Sequence, residues 1–387
     1  MTTKNRSIAT QIGRSIAADN LDSTGSFLTT GSQGVIVYGA DYTVSSDLTA
    51  VDASTLVDGS LHYLSKLNEM YIWDDSDGAF YSITLDSAWA AAGPSGTQAQ
   101  GSTSGYASGS LGPTYTNVIE KYSFTSDGNA TDVGDLTVVR ARNAGQSSDV
   151  SGYTTGGFTP PHTDVIDKFP FAADANATDV GNLYSTAGSQ MAGQSSTTHG
   201  YATGGANPPP YNNRIDKFPF SADANATDVG NLTVTRRLHA GQSSENNGYS
   251  SGGLSNLPTH NVIDKFPFAA DADATDVGDL TGSFYNVVGE NSSTHGYTSG
   301  GTSGPSALDV IQKFSFSVDE NATDVGDLSL ARFGGSGTSS TTNGYLAGGQ
   351  NPGYNNTIDK YPFTSDANAT DVGDLTAAGT GQAGQQV

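Results

Sequence analysis

The sequence repeats itself six times with a period of about 48 residues, and this limits the fold more than any other feature. Ile-Asp-Lys triplets, or close relatives, begin at successive steps of 47, 49, 48, 48 and 47 residues. Asp-Val-Gly triplets follow with the same steps. The first triplets begin at Ile119, Ile166, Ile215, Ile263, Ile311 and Ile358. A fixed period of this kind indicates one supersecondary unit that stacks on copies of itself.

Each repeat divides into four short segments with strand character. In one repeat they are residues 144–146, 152–155, 165–171 and 180–185. The third segment alternates β-branched or aromatic residues with polar ones, as half-buried strands do. Four strands in about 48 residues match a propeller blade, with a period between those of WD40 and kelch repeats. The fold class that we expect is therefore all-β, a six-bladed β-propeller.

The end of the chain predicts how the ring closes. Gly373 and Ala383 are ten residues apart, as are Gly134 and Ala144 at the start of the second repeat. The C-terminus thus carries a first strand with no repeat of its own to follow. We expect this strand to complete the first blade beside residues 105–109. Residues 97–103 are the competing donor, since they also precede a Gly-Tyr pair.

The second strand ends in a shared motif that resembles the kelch family. In five repeats Gly-Gly follows shortly after a tyrosine, and these tyrosines are Tyr153, Tyr201, Tyr249, Tyr297 and Tyr345. The resemblance runs from about residue 100 to the end. It lacks the Trp that kelch repeats carry later in each unit, because Trp73 and Trp89 lie outside the repeats. The resemblance implies a kelch-like propeller.

The segment before the repeats has a different pattern. Ile8, Ile12 and Ile16 predict a short amphipathic helix within residues 4–20, packed on its own domain or on another subunit. Residues 35–88 predict a small β unit in which segments 61–64 and 70–73 pair and Asp77-Gly78 forms the next turn. We divide the chain into an attachment helix (1–20), a β-hairpin domain (21–90), a linker (91–104) and the propeller closed by the C-terminal strand (105–387).

The opening of the chain resembles structural proteins of marine tailed phages. The resemblance is carried by Ile-Ala-Thr-Gln-Ile-Gly-Arg-Ser-Ile (8–16), by Leu-Asn-Glu-Met-Tyr-Ile-Trp-Asp (67–74) and by the Asp-Lys-Phe-Pro-Phe repeats. It implies a fibre, spike or other virion appendage, located on the extracellular particle and docked to other virion proteins through its N-terminus. Homo-oligomers are expected of such proteins. The start lacks the apolar core of a signal peptide, and no apolar run approaches the roughly 18 residues of a membrane span.

Charge and composition exclude several functions. Acidic residues outnumber basic ones 39 to 16, so no basic patch is expected to bind nucleic acid. Cysteine is absent, which excludes disulfides, thiolate metal sites and thiol nucleophiles. The six histidines lack metal-binding spacing, and the arginines do not recur in register as a sialidase cluster would. Those arginines are Arg140, Arg142, Arg214, Arg236, Arg237 and Arg332. We expect no catalytic residues.

An acidic loop, Asp-X-Asn/Asp-X-Thr-Asp, recurs in every repeat, first from Asp127 to Asp132. Oxygen ligands at alternate positions are typical of calcium loops, although the Gly and the distal Glu of an EF-hand are missing. The first copy also resembles the Asp-box turn of sialidase propellers. The structural interpretation is that these side chains cap a tight turn. We expect no cofactor and no metal ligands, with Ca²⁺ as the open alternative.

The loops between second and third strands vary most and all contain proline. Rings stand near the start of each third strand in five of them: Tyr115, His162, Tyr211, His260 and Tyr354. Such rings on rigid loops can stack on sugars or pack on a protein, and turn chemistry with packing between blades is the alternative. We expect these five residues to bind a host-surface glycan. The alternatives are a non-adhesive scaffold or decoration subunit of the virion, and a calcium-stabilised lectin.

Overall fold

The four segments of each repeat form one antiparallel sheet, and the chain builds six such sheets. The computed structural model describes residues 100–184, 188–206, 211–255 and 258–387, together with the backbone of six strands between residues 27 and 83. The chain divides into two compact units, Met1–Ser95 and Gly96–Val387. The expected N-terminal helix and most of the expected linker lie outside the described residues. In the part of the chain that is described, no helix is long and apolar enough to cross a membrane.

The six described strands of the first unit form two sheets. A hairpin is formed by β1 (Phe27–Gly31) and β2 (Gly34–Tyr38). The second sheet runs in the order β3 (Thr43–Ser45), β4 (Leu61–Leu64), β5 (Glu69–Asp74) and β6 (Ala79–Ile83), with β3 parallel to β4. Both hairpins predicted from the sequence, β4–β5 and β5–β6, are present.

The second unit is the propeller, and each of its blades has strands a to d, counted from the axis outward. Blade 1 contains β32 (Ala383–Gln386), β7 (Ser104–Leu111), β8 (Tyr115–Ser123) and β9 (Thr131–Asp135). Blade 2 contains β10 (Ala144–Ser147), β11 (Ser151–Thr155), β12 (Val165–Pro170) and β13 (Thr178–Asn182). Blade 3 contains β14 (Ala192–Ser195), β15 (His199–Thr203), β16 (Arg214–Pro219) and β17 (Thr227–Asn231).

The remaining three blades repeat this order. Blade 4 contains β18 (Ala240–Ser243), β19 (Asn247–Ser251), β20 (Val262–Pro267) and β21 (Thr275–Asp279). Blade 5 contains β22 (Val288–Asn291), β23 (His295–Ser299), β26 (Val310–Ser315) and β27 (Thr323–Asp327), with a small hairpin of β24 (Thr302–Ser303) and β25 (Ser306–Ala307) in its b–c loop. Blade 6 contains β28 (Ser336–Ser339), β29 (Asn343–Ala347), β30 (Thr357–Pro362) and β31 (Thr370–Asp374).

The C-terminal strand closes the ring as its spacing predicts. Strand β32 pairs antiparallel with β7, with Ala383 opposite Ser108 and Gln386 opposite Gly105. The carbonyl oxygen of Val387 then accepts the backbone N–H groups of three consecutive residues, 102–104. The first and last strands of the propeller are therefore joined in one blade, and each a strand contacts the a strands on both sides.

Glycine at the second position of every a strand lets the blades approach closely at the axis. A Cβ atom added at any of these six glycines would lie less than 3.0 Å from the carbonyl oxygen of the equivalent glycine in a neighbouring blade. Any side chain there would collide with backbone, which cannot move aside as a flexible side chain can. The six glycines are Gly145, Gly193, Gly241, Gly289, Gly337 and Gly384.

The fourth position of the a strands forms a closed belt of hydrogen bonds. Each backbone N–H donates to the side-chain oxygen of the equivalent residue in the next blade, over 2.8–3.4 Å. The belt runs through Ser147, Ser195, Ser243, Asn291, Ser339 and Gln386. These bonds occupy donors on the free edge of each inner strand, where the sheet offers no partner. The polar cavity on the axis has a volume of only about 60 Å³.

The apolar core lies in the seams between blades. The tyrosine of each b strand packs on two aromatic rings of the following blade, as Tyr153 does on Phe218 and Phe220 with ring centroids 5.5 and 4.8 Å apart. The isoleucine that begins each triplet is at most 1% exposed. The Phe-Pro-Phe segment of the repeats therefore supplies one buried ring and one ring that covers the seam.

The third position of the a strands links each blade to the next through a polar contact. In four blades it is a glutamine whose Nε2 donates to the backbone carbonyl of the next b-strand tyrosine, over 2.9, 2.9, 2.8 and 2.9 Å. These residues are Gln146, Gln194, Gln242 and Gln385. The c strand that faces each of these glutamines contributes a phenylalanine at the buried position.

At the other two seams, both the a-strand glutamine and the phenylalanine that faces it are replaced. Blade 5 has Glu290 in place of the glutamine, and the facing residue is Tyr361, whose hydroxyl donates to Glu290 over 3.2 Å. Blade 6 has Thr338, and the facing residue is Tyr122, with 2.6 Å between the two hydroxyl oxygens. A tyrosine thus replaces phenylalanine at the two seams where the glutamine is lost, so the repeats vary in matched pairs.

Glu290 makes the seam between blades 5 and 6 sensitive to pH. Burial raises the pKa of Glu290 from 4.5 to about 8, although hydrogen bonds from Ser299 and Tyr361 and the charge of Arg332 lower it in part. The folded protein therefore holds a proton that the unfolded chain releases between these two values, and stability falls as the pH rises from about 4.5 to about 8. We expect Glu290→Gln to remove this share of the pH dependence, roughly 3–5 kcal/mol of unfolding free energy. Urea unfolding at pH 5 and pH 9 measures it.

The control for this experiment is Gln242→Glu, which places a carboxylate at the equivalent position of blade 4, where the facing ring is Phe314 and offers no hydroxyl. This variant should gain a pH dependence of the same sign. Equal profiles for the wild type and Glu290→Gln would contradict the assignment to Glu290.

Three arginines of the sequence recur in register after all, at every second blade. Arg140, Arg236 and Arg332 are 96 residues apart, and each is fully buried. They pair with Asp167, Asp264 and Asp359 over 3.0, 2.6 and 2.9 Å, and both side chains of every pair are 0% exposed. The expectation that these arginines do not recur was wrong, because it considered steps of one repeat and not of two. All three lie buried within seams, and none of them lies in a surface cluster.

Candidate ligand-binding face

The five rings predicted to bind a ligand begin or precede c strands, and the antiparallel sheets place all of them on one face. This upper face carries the b–c loops and the connections from each d strand to the next a strand. The a–b turns and the acidic c–d loops form the lower face. Tyr115, His162, Tyr211 and His260 are partly buried, whereas Tyr354 is 38% exposed.

Tyr115 and His162 meet through a third ring that the sequence reasoning missed. Phe158 follows the Gly-Gly pair of blade 2, and its ring centroid lies 6.0 Å from that of Tyr115 and 4.7 Å from that of His162. The guanidinium of the exposed Arg142 lies 6.0 Å from the centre of the Phe158 ring. Burial and the Arg142 charge lower the pKa of His162, so its ring is neutral at neutral pH. Its Nδ1 is buried with no hydrogen-bond partner among the described residues.

Tyr211 belongs to a second group, at the seam between blades 3 and 4. The guanidinium of Arg237 lies 4.7 Å from the centre of the Tyr211 ring and donates to Oε1 of Gln190 over 2.6 Å. A third arginine, Arg214, lies 5.6 Å from the ring centre of Tyr184, which is 61% exposed. Arg237 and Tyr184 were also missed. Their signal was that they occupy positions where the other repeats carry different residues.

The other two predicted rings stand apart from these groups. His260 shares a hydrogen bond with the hydroxyl of Ser255, and Tyr354 forms a single bridge with Gln350 across its own loop. Within the described part of the chain, no ring contact or cation contact joins His260 or Tyr354 to the other three. The structure therefore groups Tyr115 with His162, places Tyr211 beside Arg237, and leaves His260 and Tyr354 as separate positions.

The acidic loops on the lower face connect neighbouring blades. The first aspartate of each loop pairs with the lysine of the preceding blade, as Asp174 does with Lys121 over 3.1 Å. The Asn or Asp two residues later accepts a backbone N–H from the preceding d strand, as Asn176 does from Asp135 over 3.1 Å. Both contacts occur at all six seams.

The last aspartate of the acidic motif has a local role. Its Oδ1 accepts the N–H of the glycine two residues later, as Asp132 does from Gly134 over 3.2 Å. At least three of the four polar positions in the motif thus have a protein partner, which supports the structural interpretation of the loop. Within the described residues, no group of three or more His, Asp or Glu side chains is placed to hold a metal ion.

The fold and the site together define an all-β, six-bladed propeller with aromatic rings and arginines on one face. No protein-family model matches the chain, and no curated protein matches it.

Proposed function

We propose that this chain is an appendage protein of a virus particle that binds a host-surface glycan through the upper face of its propeller. The N-terminal unit docks on other virion proteins, and the chain works as a homo-oligomer in a binding role without catalysis. The blades are of the kelch-like type. Support for that type comes from the paired glycines after the b strands, which have positive φ values of 59–70° and 98–118° in five blades.

The observation that carries the glycan proposal is the grouping of rings and arginines on one side of the upper face. Tyr115, Phe158 and His162 form one group, and Tyr211 with Arg237 forms another. Rings offer flat apolar surface to the faces of sugars, while guanidinium and imidazole groups bind hydroxyls and acidic groups. The lower face uses its lysines and many of its polar side chains in contacts between blades, so it offers fewer free groups to a ligand.

The experiment is a binding assay of the full-length protein on an array of bacterial surface glycans. We expect binding that Tyr211→Ala weakens by about tenfold, because the ring that orders Arg237 is lost. The matched control is Tyr285→Ala. Tyr285 occupies the position equivalent to Arg237 one repeat later, and it is also a partly buried aromatic residue of the upper face. Antibody labelling of assembled particles tests the location in the virion.

Absence of binding to every glycan, together with labelled particles, would favour a decoration subunit. Absence of labelling would contradict the virion assignment independently of the glycan result.

A further inference from the structure

We propose that the ligand of the upper face is an acidic saccharide, one that carries carboxylate or sulfate groups and binds between Arg142 and Arg237. This inference rests on the proposed glycan-binding function and specifies its chemical class. Three observations support it: the distribution of positive charge, the stacking of Arg142 and Arg237 on rings without a carboxylate partner, and the position of both arginines beside Gln190.

The first observation is where the cations of the propeller lie. All six lysines of the repeats pair with aspartates on the lower face. Arg140, Arg236 and Arg332 are buried in ion pairs within the seams. The three arginines that remain in the repeats, Arg142, Arg214 and Arg237, all lie on the upper face of blades 1–4. Among the described residues of the propeller, the cations that are neither buried in the seams nor paired on the lower face thus lie in one area, in a chain with a net charge of −23.

The second observation is that each of these three arginines lies over an aromatic ring. Stacking on a ring holds a guanidinium in place and leaves its in-plane N–H groups free for a carboxylate or sulfate. Arg214 is 3.5 Å from the carboxylate of Asp216, so its charge is partly neutralised. Arg142 and Arg237, in contrast, have no carboxylate within 4.0 Å among the described residues. The Nε of Arg237 is buried and has no hydrogen-bond partner there either.

The third observation is that Arg142 and Arg237 lie on either side of Gln190. The backbone N–H of Gln190 donates to the carbonyl oxygen of Arg142 over 2.7 Å, and its side-chain oxygen accepts from Arg237 over 2.6 Å. The two arginines therefore belong to one area of the surface. We call this area the arginine patch: Arg142, Phe158, His162, Gln190, Tyr211 and Arg237. A saccharide with repeated acidic groups can reach both cations at once.

The equivalent positions in the other blades show that the two arginines occur together at only one place in the propeller. Positions equivalent to Arg142 carry Gln190, Leu238, Asn286, Gly334 and Gly381. Positions equivalent to Arg237 carry Ala141, Ser189, Tyr285, Phe333 and Thr380. None of these is charged. The fold therefore does not require arginine at either position, and the cations are specific to this side of the propeller.

The same comparison supplies substitutions that the fold already accepts. Arg142 has a φ of 61°, and Gln190 has a φ of 59° at the equivalent position, so Arg142→Gln copies an existing residue. Arg237→Ser copies Ser189 in the same way. The control is Lys265→Gln, which removes one positive charge from the lower face. It separates binding at the arginine patch from the general effect of net charge.

The test measures binding of the full-length protein to three probes: polygalacturonate, dextran sulfate and neutral dextran. We expect one or both acidic probes to bind more tightly than dextran, with an affinity that falls as salt is added. Arg142→Gln and Arg237→Ser should each weaken binding by about tenfold or more, and Lys265→Gln should change it by less than about twofold. The two acidic probes distinguish carboxylate from sulfate recognition.

Two results would overturn the inference in different ways. Equal binding of dextran, unaffected by the arginine variants, would refute the acidic class while the glycan-binding function stands. Binding of acidic probes that Lys265→Gln weakens as much as the arginine variants do would show general charge attraction and no arginine site. If no saccharide of either charge binds, on the array or here, the proposed function itself fails.

Discussion

Deletion of residues 377–387 is expected to lower the midpoint of thermal unfolding of the propeller by more than about 10 °C. The deletion removes β32 and with it all four residue pairs to β7. It also removes the bond from Gln385 to the carbonyl of Tyr153, the belt residue Gln386 and the glycine that fits between Gly337 and Gly145. Losses of several kcal/mol shift the midpoint of a domain of this size by this amount.

Circular dichroism during heating measures this change. Addition of a peptide that spans residues 377–387 is the control, because it should restore part of the midpoint if the strand itself is what matters. An unchanged midpoint after the deletion would show that the ring does not depend on the C-terminal strand.

The blades were predictable because their signals are local and occur six times. The a, b and c strands of blade 2 begin and end within about one residue of the segments inferred from the sequence. The d strand, Thr178–Asn182, begins two residues earlier than expected. A register shift between Ile166 and Asp167 lets Thr178 pair with Lys168, and the Thr-Asp-Val-Gly sequence has no alternation that would reveal this.

The contacts between blades were harder to foresee, because they join residues about one repeat apart and, where blade 6 meets blade 1, 233 to 245 residues apart. The acidic loop is an example. Its oxygen side chains left calcium open beside the structural interpretation, since the sequence does not show that Asp174 lies beside Lys121 and Asn176 beside the N–H of Asp135. Because the acidic loop makes the same contacts at all six seams, its sequence is nearly the same in every repeat.

The residues of the candidate site, in contrast to those of the seams, do not recur from blade to blade. Tyr115, His162 and Tyr211 were named as candidates because rings on variable loops were sought, whereas Arg142 and Arg237 were not named because arginines were judged by recurrence. A residue that binds a single ligand on a propeller has no reason to recur in every blade. In this chain the repeated residues make the contacts between blades, and the rings and arginines of the candidate site depart from the repeat.

Replacement of Arg236 by alanine is expected to reduce the free energy of unfolding by about 3–5 kcal/mol. Arg236 and Asp264 are both 0% exposed, and Arg236 also donates to the backbone carbonyls of Ser250, Gly252 and Val262. Alanine would leave the Asp264 carboxylate buried without its cation, and it would take one donor away from each of the three carbonyls. Unfolding in urea, followed by tyrosine fluorescence, measures the loss.

A double variant that should compensate for the loss of Arg236 can be copied from another seam of the same propeller. At the seam between blades 4 and 5, Phe284 and Gln312 occupy the sequence positions equivalent to those of Arg236 and Asp264 one blade earlier. Gln312 accepts the N–H and hydroxyl of Thr281 over 2.7 and 2.8 Å, as Asp264 accepts those of Thr233 over 2.9 and 2.7 Å. The double variant Arg236→Phe with Asp264→Gln should therefore recover most of the stability that Arg236→Ala loses.

The recovery has a physical reason. An apolar and neutral pair of similar volume avoids the cost of desolvating two charges, while the contact to the threonine is kept. A double variant as unstable as the single one would show that the two kinds of seam are not interchangeable. A single variant with wild-type stability would show that the buried ion pairs at alternate seams do not stabilise the ring.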